Sequence, residues 1–120
     1  MGRPPLLVAS IPVESARDLE WVEEARRYAD FVELRVDYLD NPMSIDYSSL
    51  PSNTIVTLRD PSEGGVGDHS HELKLKLLKN LRRVGLVYDV EASFAKKYGV
   101  EFDGEIVSVH ILSPEKADLE

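Results

Sequence analysis

Phe31-Val32-Glu33-Leu34-Arg35-Val36-Asp37 is the stretch of this sequence that decides the fold. Read with the two-residue period of a β-strand, its valines and leucine share one face, and Glu33, Arg35 and Asp37 share the other. The apolar face can pack against helices. A glutamate and an arginine in one strand are unfavourable to bury unless they are paired or bound to a ligand. The stretch therefore predicts a strand whose polar face borders a site.

The same pattern recurs along the chain, in runs at residues 6–10, 55–59, 87–91 and 105–110. The polar residues near the ends of these runs are Ser10, Arg59, Asp89, Glu91, Ser108 and His110. In parallel α/β proteins the C-terminal strand ends carry the active site. We therefore expect these side chains to meet at one site.

Segments with helical periodicity separate the runs. Ser15 with Asp18 resembles a capping box and predicts a helix over about residues 15–28. A stripe of leucines predicts a second helix that ends before Gly85. Residues 43–50 are weakly helical, 60–70 form a polar glycine-rich segment expected to be mobile, and 92–97 form a short helix. Strands that alternate with helices predict a parallel sheet, that is, an α/β fold.

Two architectures accommodate five such strands. One is an open doubly wound sheet, and the other is an incomplete (β/α)8 TIM barrel of about five βα units with parallel strands, since a whole barrel takes about 250 residues. The last predicted helix begins at Pro114 and is cut off at Glu120, which favours the barrel. We interpret residues 1–120 as one domain, the N-terminal portion of a (β/α)8 barrel.

Composition narrows the class of protein. The formal net charge of −8 opposes binding to nucleic acids and to anionic membranes. No apolar run is long enough for a membrane span, and the N-terminus does not resemble a signal peptide, so we expect a cytoplasmic protein. The chain has no cysteine, which excludes thiolate metal sites and cysteine nucleophiles. The basic residues in 74–83 are interpreted as a solvated helix face.

Two of three further short motifs have ordinary explanations, and the third remains open. The glycines of 64–67 lack the spacing of a phosphate-binding loop. His69-x-His71 has no third metal ligand in view and is interpreted as a solvated helix start. Asp89-x-Glu91 is either a paired-carboxylate site or a pair of partners for the arginines, and the sequence leaves both readings open.

The candidate active site consists of Glu33, Arg35, Arg59, Glu63 and His110. A histidine at a strand end is a natural general acid and base, since its pKa lies near neutrality. A nearby carboxylate can set its tautomer, and arginines offer rigid donors for hydroxyl or carboxylate oxygens. Asp37 is expected to be a structural partner.

These motifs resemble a known family. The E-x-R-x-D strand of residues 33–37, followed by Thr57-Leu58-Arg59 and Glu63-Gly64-Gly65, resembles type I 3-dehydroquinate dehydratase of the shikimate pathway. Residues 8–10, 89–91 and 108–110 fit the same pattern in the same order. The resemblance implies a (β/α)8 barrel lyase that converts the small-molecule substrate 3-dehydroquinate to 3-dehydroshikimate. It also implies a Schiff base between a lysine and the substrate ketone, with no metal and no cofactor.

The resemblance assigns roles residue by residue. Those assigned to substrate binding are Glu33, Arg35, Arg59 and Ser10. His110 matches the general acid and base, and Glu63 matches the carboxylate that orients it. In the family the Schiff-base lysine lies one strand beyond the histidine. The lysines of this chain all fall on predicted helices or their ends, so we expect the 120 residues alone to be inactive.

An incomplete barrel leaves open sheet edges, so we expect self-association or a complementing C-terminal half. Two other functions remain as alternatives. One is a non-catalytic half-barrel that serves as a binding or assembly module, and the other is a flavodoxin-like α/β binding domain.

Overall fold

The computed structural model describes residues 5–99 and 106–108. The strands are β1 (Val8–Pro12), β2 (Phe31–Arg35), β3 (Thr54–Thr57), β4 (Val87–Glu91) and β5 (Ile106–Ser108). The α-helices are α1 (Trp21–Arg26), α2 (His71–Val84) and α3 (Ala92–Tyr98). All five strands were predicted by the period-two runs, and β5 is described over three residues of its predicted run.

The strands form one parallel sheet in the order β1-β2-β3-β4-β5. This confirms the predicted α/β fold with a parallel sheet. In a flavodoxin-like sheet the strand order reverses at a switch point. The described strands follow one another without reversal, so the flavodoxin-like alternative is wrong for this part of the chain. A sheet that adds each strand on the same side is the arrangement from which a barrel is built.

The register places the predicted polar residues on one face. Partners in adjacent parallel strands point to the same side of a sheet. Ser10 of β1 is paired with Glu33 of β2. Arg35, two residues after Glu33, is paired with Thr57 of β3, and Thr57 is paired with Asp89 of β4. Glu91 is paired with Ser108. We call this side of the sheet the polar face.

The opposite face of the sheet holds the core. Val32, Leu34 and Val36 are fully buried there, as predicted from the alternation in β2. They join one hydrophobic cluster with Leu77 and Leu81 of α2. The apolar face therefore meets helices, and the polar face is left for a site.

Local signals set the helix ends. Asp18 Oδ2 accepts the N–H of Ser15 at 3.2 Å, although the first part of the predicted helix is a 3-10 turn at Ala16–Glu20. Ser70 Oγ accepts the N–H of Leu73 at 3.1 Å and begins α2. Gly85, with φ of +80°, ends α2 as predicted. The weakly helical 43–50 segment consists of two 3-10 turns, Pro42–Ser44 and Tyr47–Ser49.

The start of the described chain exposes apolar side chains. Leu6, Leu7 and Val8 are each more than half exposed, and so are Trp21 and Tyr28. β1 is an edge strand, since β2 is its only partner among the described strands. Within residues 5–99 and 106–108, no helix is long and apolar enough to cross a membrane.

Candidate active site at the strand ends

Arg59 lies two residues beyond the end of β3 and is buried. Its Nη1 lies 2.8 Å from Asp89 Oδ2 and 3.5 Å from Glu91 Oε2, both on β4. The same nitrogen donates to Ser108 Oγ at 3.0 Å, and Ser108 Oγ donates to Asp89 Oδ2 at 2.9 Å. Side chains of two neighbouring strands, β4 and β5, therefore hold this guanidinium. Asp89 and Glu91 are partners of Arg59, one of the two readings that the sequence left open.

Glu33 is the centre of a second group on the polar face. Its carboxylate accepts from Ser10 Oγ at 2.8 Å and from Thr57 Oγ1 at 2.6 Å. Hydroxyl donors on both neighbouring strands thus fix the carboxylate, which remains half-buried and open to the polar face. The structure brings the predicted Ser10 and Glu33 together, and it adds Thr57, which the sequence analysis did not select.

Arg35 points its guanidinium at Asp37. Nε and Nη2 donate to the two carboxylate oxygens of Asp37, both at 2.8 Å. Burial would raise the pKa of Asp37, but the hydrogen bonds from Arg35 and from the Val66 N–H outweigh burial and hold its pKa below the usual range. Asp37 is therefore the structural partner that the sequence predicted. The Arg35 side chain remains 22% exposed.

The loop after β3 is anchored at several points, although its glycines predicted a mobile segment. Residues 61–63 form a 3-10 turn, and the Asp60 carbonyl accepts the N–H groups of both Glu63 and Gly65 at 2.9 Å. The Val66 N–H donates to Asp37 Oδ2 at 2.8 Å. Glu63 Oε2 accepts from Ser93 Oγ at 3.1 Å, which links the loop to α3. The loop therefore holds Glu63 in a defined place near the strand ends.

Both histidines of the His69-x-His71 motif support this loop. His69 Nε2 lies 3.0 Å from the Asp37 carbonyl. The ring of His71 lies between Asp60 Oδ2, at 3.0 Å, and Tyr98 Oη, at 2.7 Å. The two rings are thus used for loop anchoring and are not simply a solvated helix start. Within the described residues, no cluster of histidine, aspartate and glutamate could hold a metal ion.

Lys74 corrects the sequence analysis. The basic stretch of 74–83 was interpreted as solvated, but Lys74 is only 3% exposed. Its ammonium donates to Glu91 Oε1 and lies 4.7 Å from the centre of the Phe94 ring. The signal was present in the sequence: residues 74, 77, 78 and 81 have the spacing of one helix face. Three of them are leucines, so the fourth was predictable as buried.

The pKa values of the two carboxylates of β4 are shifted in opposite directions. Burial raises the pKa of Asp89 above its ordinary value, and the attraction of Arg59 opposes this only in part. Burial acts on Glu91 in the same way. There, hydrogen bonds from Lys74 and from the Asp60 N–H outweigh burial, so the pKa of Glu91 lies below its ordinary value. The surroundings of Glu91 therefore favour its anionic form, whereas burial disfavours the anionic form of Asp89.

The structure brings Ser10 and Glu33 of the predicted site into contact. Arg35 lies at the end of β2, Arg59 two residues beyond β3, and Glu63 in the 3-10 turn that follows. His110, the predicted acid and base, and Lys116 lie outside the described residues. Three further residues contact the polar groups described above: Thr57 donates to Glu33, Lys74 donates to Glu91, and Ser108 accepts from Arg59.

The fold is a parallel α/β sheet, and charged side chains lie at the C-terminal ends of its strands. In proteins of this class, the C-terminal strand ends carry the ligand-binding site. Residues 8–111 match the family model described as type I 3-dehydroquinase. The chain therefore belongs to the type I 3-dehydroquinase family, as the motifs indicated.

Curated relatives agree with the family match. The chain is 42% identical over 113 residues to a 3-dehydroquinate dehydratase of Saccharolobus solfataricus, which covers 88% of this chain and 51% of the relative. It is also 42% identical over 107 residues to that of Metallosphaera sedula, covering 88% and 52%. The chain thus spans about half the length of these curated relatives.

A solved structure agrees as well. The structure of 3-dehydroquinate dehydratase from Enterococcus faecalis superposes with a TM-score of 0.63 at 25% identity, over 88% of this chain and 53% of that one. The fold and the family are therefore supported independently.

Proposed function

We propose that this chain forms the first five βα units of a TIM barrel and supplies the substrate-binding and acid–base groups of a 3-dehydroquinate dehydratase. The observation that supports the proposal is that Glu33 and Arg35 on β2 and Arg59 just beyond β3 are each held by polar partners on neighbouring segments of a chain of this family. Arginines with fixed planes suit the hydroxyl and carboxylate oxygens of a small polyhydroxylated acid.

The proposed reaction is the loss of water beside an imine. A lysine amine condenses with the substrate ketone, and the imine makes the neighbouring C–H bond acidic. His110 removes that proton, the resulting enamine expels the hydroxyl group on the next carbon, and His110 returns the proton so that the hydroxyl leaves as water. Glu63 orients His110 from the loop after β3. Hydrolysis of the imine releases 3-dehydroshikimate and restores the lysine.

The described lysines do not suit the nucleophilic role. A lysine must lose its proton to attack a ketone, and desolvation or a neighbouring cation normally favours that loss. Lys74 is buried, but its side-chain nitrogen is already paired with the Glu91 carboxylate and lies over the Phe94 ring. Lys76, Lys79, Lys96 and Lys97 are exposed on α2 and α3. Lys116 falls on a predicted helix, and the resembled family places its lysine one strand beyond the histidine. We therefore propose that the imine-forming lysine is supplied from outside these 120 residues.

The central experiment supplies the part of the relatives that this chain does not span. Residues 1–120 are joined to the corresponding C-terminal half of the Saccharolobus solfataricus relative. The chimera should form the conjugated enone of 3-dehydroshikimate, which is followed by its ultraviolet absorbance. Borohydride should trap a substrate adduct on the added half and none on residues 1–120. A folded chimera without turnover would favour a non-catalytic module, and an adduct on Lys74 would refute the assignment of the lysine.

Arginine substitutions test the binding role. Arg59→Lys keeps the charge beside Asp89 but removes the planar fork, so KM should rise and kcat/KM should fall about tenfold or more. The matched control is Arg26→Lys, because Arg26 lies on α1 and pairs only locally with Glu23 among the described contacts. Equal kinetics for the two variants would contradict a substrate-binding role for Arg59.

A double-mutant cycle tests Glu63. In the chimera, His110→Ala should lower kcat by about 10²–10⁴-fold with little change in substrate binding. If Glu63 acts through the histidine, Glu63→Ala should lower turnover in the parent and have much less effect beside His110→Ala. Additive effects would mean that the loop carrying Glu63 has another role.

A further inference from the structure

We propose that Lys74 and Glu91 form a positioning pair, in which Glu91 fixes both Arg59 and the first peptide of the loop that carries Glu63. Glu91 uses its two oxygens for different tasks. Oε1 accepts from the Lys74 ammonium, and Oε2 accepts the Asp60 N–H at 2.7 Å. Oε2 also lies 3.5 Å from Arg59 Nη1.

The backbone of Asp60 transmits this constraint into the loop. Its N–H group is held by Glu91, and its carbonyl, which belongs to the next peptide group, accepts the N–H groups of Glu63 and Gly65. Glu91 therefore holds the Asp60 residue at its N–H, while the loop folds back onto its carbonyl. The position of Glu63 thus depends on Glu91 through the Asp60 backbone, and no substrate contact by Glu91 is needed.

Packing alone does not explain why a lysine occupies position 74. It occupies the buried face of α2 beside Leu77 and Leu78, where a leucine would need no charge compensation. Buried ion pairs contribute little net stability when they are compared with apolar side chains of similar volume. What Lys74 does provide is a counter-charge that keeps Glu91 ionised, so that Glu91 remains an acceptor for both the peptide and the arginine.

The roles assigned to Arg59 and Glu63 rest on the proposed function, but the positioning itself can be measured without it. Two double variants remove the ion pair and the same two charges. Lys74→Met with Glu91→Gln keeps an amide oxygen that can accept the Asp60 N–H. Lys74→Met with Glu91→Leu offers no acceptor. The methionine in both fills the space beside Phe94.

The readout is amide hydrogen exchange of the 120-residue chain, resolved by residue. The Leu variant should accelerate exchange at Asp60 by about tenfold or more, as expected for a lost hydrogen bond to a charged group. The Gln variant should accelerate it clearly less than the Leu variant, because its amide oxygen still accepts the Asp60 N–H, although as a neutral and weaker acceptor. Exchange at Leu77, in the middle of α2, serves as the internal control for global unfolding and should change equally in the two variants.

Equal exchange at Asp60 in the Gln and Leu variants would overturn the proposal and leave the pair with a packing role alone. If the Leu variant has no protected Leu77 amide, Glu91→Asp takes its place, because the shorter side chain keeps the charge beside Lys74 but withdraws from the Asp60 N–H. Selective acceleration at Asp60 is then expected, and its absence would refute the positioning role.

The chimera separates this inference from the proposed function. There, the Leu variant should lower kcat/KM about tenfold more than the Gln variant does. An inactive parent chimera with the expected exchange pattern would refute the proposed function and retain the positioning pair. An active parent chimera, with equal exchange at Asp60 in the two variants, would support the proposed function and refute the positioning pair.

Discussion

Gly65→Ala should disrupt the loop after β3 because the structure has no room for a side chain there. A Cβ at Gly65 would lie 2.0 Å from the Arg59 carbonyl oxygen and 2.8 Å from the Asp60 carbonyl carbon. Both are backbone atoms, so no side-chain rotation can relieve the overlap. Ordinary Cβ contacts lie above 3.0 Å, and the loop must therefore move by about 1 Å.

A displacement of that size would break two hydrogen bonds of the loop. The Gly65 N–H donates to the Asp60 carbonyl at 2.9 Å, and the Val66 N–H donates to the Asp37 carboxylate at 2.8 Å. A neutral bond contributes about 0.5–1.5 kcal/mol, and one to a charged group about 1.5–3 kcal/mol. We expect Gly65→Ala to lower the free energy of unfolding by about 2–4 kcal/mol.

Urea unfolding measures the loss, and exchange of the Val66 amide reports the loop directly. Gly85→Ala is the matched control, because Gly85 has φ of +80° but a Cβ added there would have no neighbouring atom within 4 Å. Its left-handed conformation should cost an alanine about 1–2 kcal/mol. A Gly65→Ala protein that loses no more stability than the control, with unchanged Val66 exchange, would refute the steric argument.

Three further predictions follow from burial, charge and exposure. Among the described residues, Thr54 Oγ1 is buried without a hydrogen-bond partner, so Thr54→Val should raise the free energy of unfolding by about 1–2 kcal/mol. Thr57→Val should lower it, because the Thr57 hydroxyl donates to Glu33. Urea unfolding measures both changes, and the same sign for the two would contradict this reasoning. The pKa of Asp37 lies below its ordinary value, so the carboxylate stabilises the fold above about pH 4 and loses that effect as the pH falls through its folded-state pKa. The stability gap between the parent and Asp37→Asn, measured by urea unfolding across pH, should therefore be largest near neutrality and shrink in acid, and a constant gap would count against it. The exposed apolar edge at Val8 should promote self-association, which Val8→Lys should reduce in light scattering relative to the exposed-site control Glu23→Lys; a monomeric parent would exclude edge pairing.

Local sequence was sufficient to predict the strands and the polar face of the sheet. Alternation in residues 31–37 predicts which side of β2 is polar, because side chains in an extended chain must alternate whatever the strand packs against. The polar residues of β3, β4 and β5 then share a face because parallel partners point the same way. Gly85 likewise ends α2 for a local reason, its left-handed backbone conformation.

Only the tertiary structure decided which charged groups meet. Arg59 could have paired with several carboxylates, and the choice of Asp89 and Glu91 depends on the register between β3 and β4. The helix face of Lys74 can be read from the leucine spacing, but its partners Glu91 and Phe94, 17 or more residues further along the chain, are set by the packing of that helix. The spacing of residues along the chain determines to which face of a strand or helix a side chain points. The group that this side chain contacts is set by the packing of segments that are distant in the sequence.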